Sequence, residues 1–237
     1  MSRGSLRSRR PATSRRDRVP ASNGAPKNAA RSRRTAGGST VAPGTFAQDA
    51  VAYCTFNTEL GWMAAAHRAR VLLRLSFGQS SPAAAVRSLA DSAADPGEIG
   101  LGGFELGKEI PWPQLAKRLK AYAAGAEDDF ADIQVDLSHL TPFERRVVER
   151  CRQIPYGQTL SYGNLAERAG SQRAARAVGN VMANNRCPLI VPCHRVVHAS
   201  GALGHYSAPA GRRTKLRLLE QEGAWQDGKM RPPAAAR

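Results

Sequence analysis

Cys193 and His194 stand side by side at the end of an apolar, proline-marked run, Pro188-Leu189-Ile190-Val191-Pro192, and Arg195 follows them. Thiolate is the reactive form of cysteine, and a neighbouring imidazole or positive charge favours it. A lone free cysteine is more often a core residue, but one delivered to a bend beside histidine suits nucleophilic attack. A metal site is the rival chemistry, with Cys187, Cys193, His194 and His198 as ligands. Their Cys-x5-Cys-His-x3-His spacing fits no common zinc pattern, and adjacent Cys and His ligands strain a tetrahedral centre. No metal is therefore expected. Cys187 is expected to line a pocket or lie at the surface, and His67, His139, His198 and His205 are left as surface or loop residues.

These groups need elements to hold them. Thr141-Pro142-Phe143-Glu144 is a capping box with proline at the first helical position, so a helix is predicted to begin there. Phe143, Val147, Val148 and Cys151 supply its buried face, and Ile154-Pro155-Tyr156-Gly157 ends it. Ser161 to Gly170 predicts a short helix closed by glycine, and Ser171 is expected to cap another that runs to about Asn184. Two short helices joined by a tight turn form the helix-turn-helix pattern. In the second of them Ala174, Ala177, Val178, Val181 and Met182 are expected to face inward. That leaves Gln172, Arg173, Arg176, Gly179, Asn180 and Ala183 on an outer face that is small, polar and basic, which suits a nucleic-acid groove.

The first half of the chain carries no recognisable chemistry. Ala52–Phe56 and Val71–Phe77 have strand composition, while 82–93 and 112–123 read as helices, the latter with Leu115, Leu119 and Tyr122 on one face. Glu127-Asp128-Asp129 marks a loop. The 237 residues carry a formal net charge of +16. Much of that excess lies in residues 1–40, where 11 basic residues face one acid, Asp17. That segment is too poor in apolar residues to fold. It reads as a solvated tail, a DNA-binding arm, a targeting peptide or the product of an early start codon, and no function is assigned to it. The rest is still basic enough to favour a polyanion. Four scattered cysteines point to a reducing compartment, and no run of about 18 apolar residues predicts a membrane span. The organisation expected is a tail over 1–44, a scaffold domain over 45–136, a DNA-binding domain over 137–226 and a tail over 227–237.

From Leu140 to Gly223 the sequence resembles the O-6-alkylguanine-DNA alkyltransferases. The resemblance rests on Pro192-Cys193-His194-Arg195-Val196, Tyr162, Arg-Ala-Val-Gly at 176–179, Asn185, Gly201-Ala202-Leu203-Gly204, Tyr206, Leu218-Leu219 and Glu222-Gly223. Gly61-Trp62-Met63 and the segment from Tyr122 to Gly125 extend it more weakly into the first half. It implies an α+β fold: a small N-terminal sheet with helices, then a mainly helical C-terminal domain of winged helix-turn-helix type.

The activity implied is stoichiometric transfer of a methyl or alkyl group from O-6-alkylguanine in double-stranded DNA to Cys193, with O-4-alkylthymine as a further substrate the resemblance admits. His194 would deprotonate the thiol through a water, Glu222 (with Glu220 as rival) would orient His194, and Asn185 would brace the turn. Arg176 would fill the space left by a flipped base. Tyr162 would help rotate the nucleotide and, with backbone amides near Ser207, offset charge on the leaving guanine. Gln172, Arg173 and Asn180 would contact DNA, and Pro188, Gly204, Tyr206 and Ser207 would line the pocket. No cofactor, a monomer and a cytoplasmic, DNA-associated location are expected. One departure stands out. Ser207-Ala208-Pro209-Ala210-Gly211 keeps a single glycine where the family usually has an adjacent pair, and the loop is two residues longer. The competing function is a helix-turn-helix protein that senses alkyl damage or regulates genes without chemistry. Relatives that only sense damage lack the acceptor cysteine, and this chain keeps it.

Overall fold

The computed structural model describes residues 51–91, 107–226 and 228–231, all within one compact unit. The expected 1–44 tail lies outside the described residues, as does most of the 227–237 tail. The chain opens with a three-stranded antiparallel sheet, β1 (Ala52–Thr58), β2 (Gly61–Arg68) and β3 (Val71–Gln79), in sequential order. β1 and β3 match the two expected strands and run slightly longer. The central strand was not foreseen, because Ala64-Ala65-Ala66 gives no strand signal. The turn into β3 hides its own signal too. Ala69 and Arg70 adopt φ of 47° and 67°, the left-handed pair that a tight hairpin needs and that Asn-Gly usually supplies.

The alanines have a packing reason. α1 (Pro82–Asp91) lies over one face of the sheet, where Ala64 and Ala66 pack with Ala85 and Leu89. Ser81 starts this helix by accepting from the amide of Ala84, with proline at its first position. Met63 and Ala65 point the other way, into the main core. α2 (Pro113–Ala123) brings Leu115, Leu119 and Tyr122 to that core as its periodicity predicted.

α3 (Pro142–Arg152) begins with the expected capping box, in which Thr141 and Glu144 bond reciprocally. Val147, Val148 and Cys151 are buried. A two-residue strand, β4 (Leu160–Ser161), leads into α4 (Tyr162–Arg168), capped by Ser161. The next helix, α5 (Ala175–Ala183), starts later than expected. Ser171 does not cap it; instead the Ala174 amide closes a turn on the Ser171 carbonyl. Ala177 is exposed rather than inward, and Val178, Val181 and Met182 carry the buried stripe. A 3-10 turn over Cys193–Arg195 runs into β5 (Val196–Val197), which pairs in parallel with β4. α6 (Arg212–Gln221) and a hairpin of β6 (Trp225–Gln226) and β7 (Lys229–Met230) complete the described residues. No helix among them is long and apolar enough to cross a membrane.

Candidate active site

The apolar run that precedes Cys193 folds into a strained loop. Leu189, a non-glycine residue, sits at φ 72°, a left-handed conformation that costs energy and recurs at functional sites. The Val191 amide reaches back to the Cys187 carbonyl at 2.8 Å, and the Cys193 amide to the Val191 carbonyl at 2.8 Å. Asn185 locks the loop from the side. Its Nδ2 donates to the Val191 carbonyl at 2.8 Å and to Cys193 Sγ at 3.0 Å, while its Oδ1 accepts from the Cys187 amide at 3.0 Å. One amide therefore sets both the backbone of the bend and the position of the sulfur. Cys187 is buried in the core beside a small cavity, not at the surface.

Behind the sulfur lies a buried ionic cluster. His194 is fully buried, and its Nε2 meets Glu222 Oε1 at 2.9 Å. Glu222 rather than Glu220 occupies this place; Glu220 is exposed on α6. Arg195 grips the same carboxylate with two bonds, Nε to Oε2 at 2.9 Å and Nη2 to Oε1 at 2.8 Å, and gives Nη1 to the Ile154 carbonyl at 2.7 Å. Tyr122 donates its hydroxyl to Oε1 at 2.6 Å. Burial opposes charge on Glu222, but His194 and Arg195 outweigh it and hold the carboxyl far below the usual range. Arg195 is a permanent cation, so Glu222 stays ionised whether or not His194 is protonated. Burial pushes the His194 imidazole down, towards neutrality. With Nε2 facing a carboxylate, the proton of that neutral ring belongs on Nε2, and Nδ1 is left as a bare acceptor. Nδ1 is buried with no hydrogen-bond partner among the described residues. Gly157 closes the cluster: at φ 71° a Cβ there would stand 2.7 Å from the Glu222 carbonyl oxygen.

Cys193 is itself 5% exposed. Burial pushes its thiol up, while the Asn185 hydrogen bond and the positive charge of Lys215 pull against that. Lys215 is fully buried, bonds the Val196 carbonyl, and lies 5.9 Å and 6.0 Å from the ring centres of Tyr162 and Tyr206. Burial lowers its ammonium to about 8.

The sulfur borders two openings. The first is a cleft of about 500 Å³ bordered by Tyr162, Arg176, Asn180, Cys193, His198 and Tyr206. The second, of about 270 Å³, has Asn185, Pro188, Tyr206 and Ser207 in its wall together with residues of β3 and α1. Gly204 is buried against Tyr162 and His198 at the edge of the first. The fold thus gathers nearly all the residues singled out from sequence around one sulfur. Gln172 and Arg173 are the exceptions. They are exposed on the turn ahead of α5, in a separate shallow depression with Glu167. Sequence reasoning gave no role to Tyr122, Arg195 or Lys215. It also placed His67 at the surface, whereas His67 is buried with Nε2 against the Ile110 carbonyl.

Comparison with known proteins follows the same outline. Residues 142–224 match the family model described as the 6-O-methylguanine DNA methyltransferase DNA binding domain. A methylated-DNA–protein-cysteine methyltransferase of Mycobacterium leprae is 41% identical over 134 residues, which are 56% of this chain and 76% of the relative. A DNA base-flipping protein of Thermus thermophilus is 42% identical over 113 residues, 47% of this chain and 73% of that one. Among solved structures, Mycobacterium tuberculosis OGT in complex with DNA superposes with a TM-score of 0.57 at 33% identity, covering 73% of this chain and 93% of the other.

Proposed function

The chain belongs to the methylated-DNA–protein-cysteine methyltransferase family, a premise from which we propose that Cys193 is the sulfur that takes the alkyl group. The protein is a DNA-repair enzyme that acts by direct alkyl transfer from O-6-alkylguanine. The observation that carries the residue assignment is the continuous chain Cys193, His194, Glu222: a sulfur held by Asn185, then an imidazole with a bare, buried Nδ1, then a carboxylate fixed by Arg195 and Tyr122. This is the nucleophile, base and orienter arrangement of catalytic triads.

In the proposed step the thiol proton passes through a water to His194 Nδ1, leaving an imidazolium whose charge Glu222 offsets. The thiolate attacks the alkyl carbon, the S–C bond forms as the C–O6 bond breaks, and the electron pair departs on guanine. The Tyr162 hydroxyl and backbone amides near Ser207 meet that developing charge. Arg176, exposed on α5 at the cleft mouth, fills the stack from which the base is flipped, at a cost of a few kcal/mol. Asn180, Gln172 and Arg173 contact the DNA. Pro188, Gly204, Tyr206 and Ser207 shape the pocket, and residues 45–136 support the domain spanning 137–226. The thioether product has no group placed to cleave it among the described residues, so each molecule acts once; a monomer is the proposed state. The cytoplasm is the proposed compartment.

Intact-mass measurement after incubation with an oligonucleotide bearing O-6-methylguanine tests this reading. A gain of one methyl on the peptide containing Cys193, absent in Cys193→Ala, is expected. Tight binding without any gain would favour a damage sensor instead.

A further inference from the structure

We propose that His198 is a positioning residue for alkyl transfer: wedged against Tyr162 beside Gly204, its imidazole aims the Tyr162 hydroxyl at the departing guanine. The inference rests on the reading of Cys193 and Tyr162 given above. His198 follows β5 directly, and its backbone is clamped there. Its amide donates to the Ala202 carbonyl at 2.9 Å, and its carbonyl accepts from the Gly201 amide at 2.9 Å. The residue is exposed, and its ring rests on Tyr162 at the start of α4. The imidazole and the Tyr162 ring lie 5.2 Å apart between centres, tilted by 57°.

The polar ends of the two side chains converge on Gly204. A Cβ at that position would lie 2.8 Å from the Tyr162 hydroxyl oxygen and 3.2 Å from His198 Nε2, and the residue sits at φ 73°. Only a residue without a side chain lets both atoms occupy that space. The Lys215 ammonium approaches the same phenol ring at 5.9 Å, so the ring is held by α6 as well as by the turn after β5. Arg176, Cys193, His205 and Tyr206 also border the cleft, and no carboxylate does so among the described residues. Nothing acidic therefore competes for the Tyr162 hydroxyl. His205 shares the cleft but has no ring contact with Tyr162 among the described residues.

A freely turning phenol spends part of its time pointing away from the base. Holding the donor in place beforehand removes that cost, which is how fixed dipoles accelerate reactions.

Single-turnover kinetics on duplex DNA containing O-6-methylguanine, run to saturation, separate binding from transfer. His198→Ala removes the ring that rests on Tyr162. It should lower the limiting transfer rate about tenfold and leave the half-saturating DNA concentration unchanged. His198→Phe, which keeps a ring against Tyr162, should recover most of the rate. On a Tyr162→Phe background His198→Ala should cost nothing further, because the two act as a unit. Additive losses, an unchanged rate in His198→Ala, or an effect confined to half-saturation would overturn the proposal. Wild-type protein that gains no methyl on Cys193 would instead overturn the parent reading.

Discussion

The two flanks of Cys193 are built on opposite principles. On the interior flank Glu222, Arg195, Tyr122 and His194 form a closed network in which the carboxylate receives four side-chain donors. On the open flank Tyr162, Arg176 and Asn180 border the cleft without a side-chain hydrogen bond among the described residues. Burying polar groups is tolerable only when they are paired. The interior flank meets that demand from within the protein at every group but His194 Nδ1 among the described residues, whereas the exposed Arg176 and Asn180 of the open flank stay available to a ligand. The contrast separates machinery that prepares the sulfur from surface that receives the base.

The largest expected effect removes the boundary itself. Cys193→Ala should abolish methyl uptake altogether while retaining DNA binding, read by mass and by gel shift. Next comes the interior flank. Glu222→Gln leaves Arg195 buried without its counter-charge and should cost about 3–5 kcal/mol of unfolding free energy, measured by denaturant titration. The pH dependence follows from the depressed Glu222 carboxyl. Its stabilisation is complete above the unfolded carboxylate range near 4.3, and is lost as pH falls through the folded value below that. The gap between wild type and Glu222→Gln should therefore be widest at neutral pH and narrow in acid; a gap independent of pH would break the assignment. Tyr122→Phe removes a single hydrogen bond to that carboxylate and should cost about 1.5–3 kcal/mol in the same assay, with slower transfer.

The open flank predicts a different kind of loss. Arg176→Ala should slow repair of duplex DNA far more than reaction with free O-6-alkylguanine base, and equal slowing on both would refute a role in base flipping. Smallest of all, Arg173→Ala should leave the transfer rate at saturation unchanged and reduce the salt slope of DNA binding by about one.

The local parts of this site were legible before the fold. Thr141 and Glu144 announce the start of α3 because a capping box is four consecutive residues, and Pro192 to Val196 announce the nucleophile in the same way. What required the structure was contact across distance. Tyr122 meets Glu222 from 100 residues away, and as sequence it was one more apolar position on an amphipathic helix. Glu222 and Glu220 differ only in which side of the end of α6 they occupy, and that depends on how the longer 207–214 loop is accommodated. Ser171 misled for a local reason: an extra turn before Ala175 delays the helix. His198 carried no signal at all, since its meaning lies in Gly204 and Tyr162.

The bond from Tyr122 to Glu222 makes the sheet half of the molecule a working part of the reaction centre. Gln221 also donates to the Tyr122 carbonyl, so α2 and the end of α6 are stitched at two points, and Tyr156, from the turn after α3, adds a bond to the Gln221 carbonyl. On this reading, a copy in which α2 has worked loose retains every residue of the helical half yet loses its grip on the base that arms the sulfur. Damaged repair proteins would then fall silent rather than occupy lesions uselessly, with integrity of the whole chain built in as a condition of reactivity.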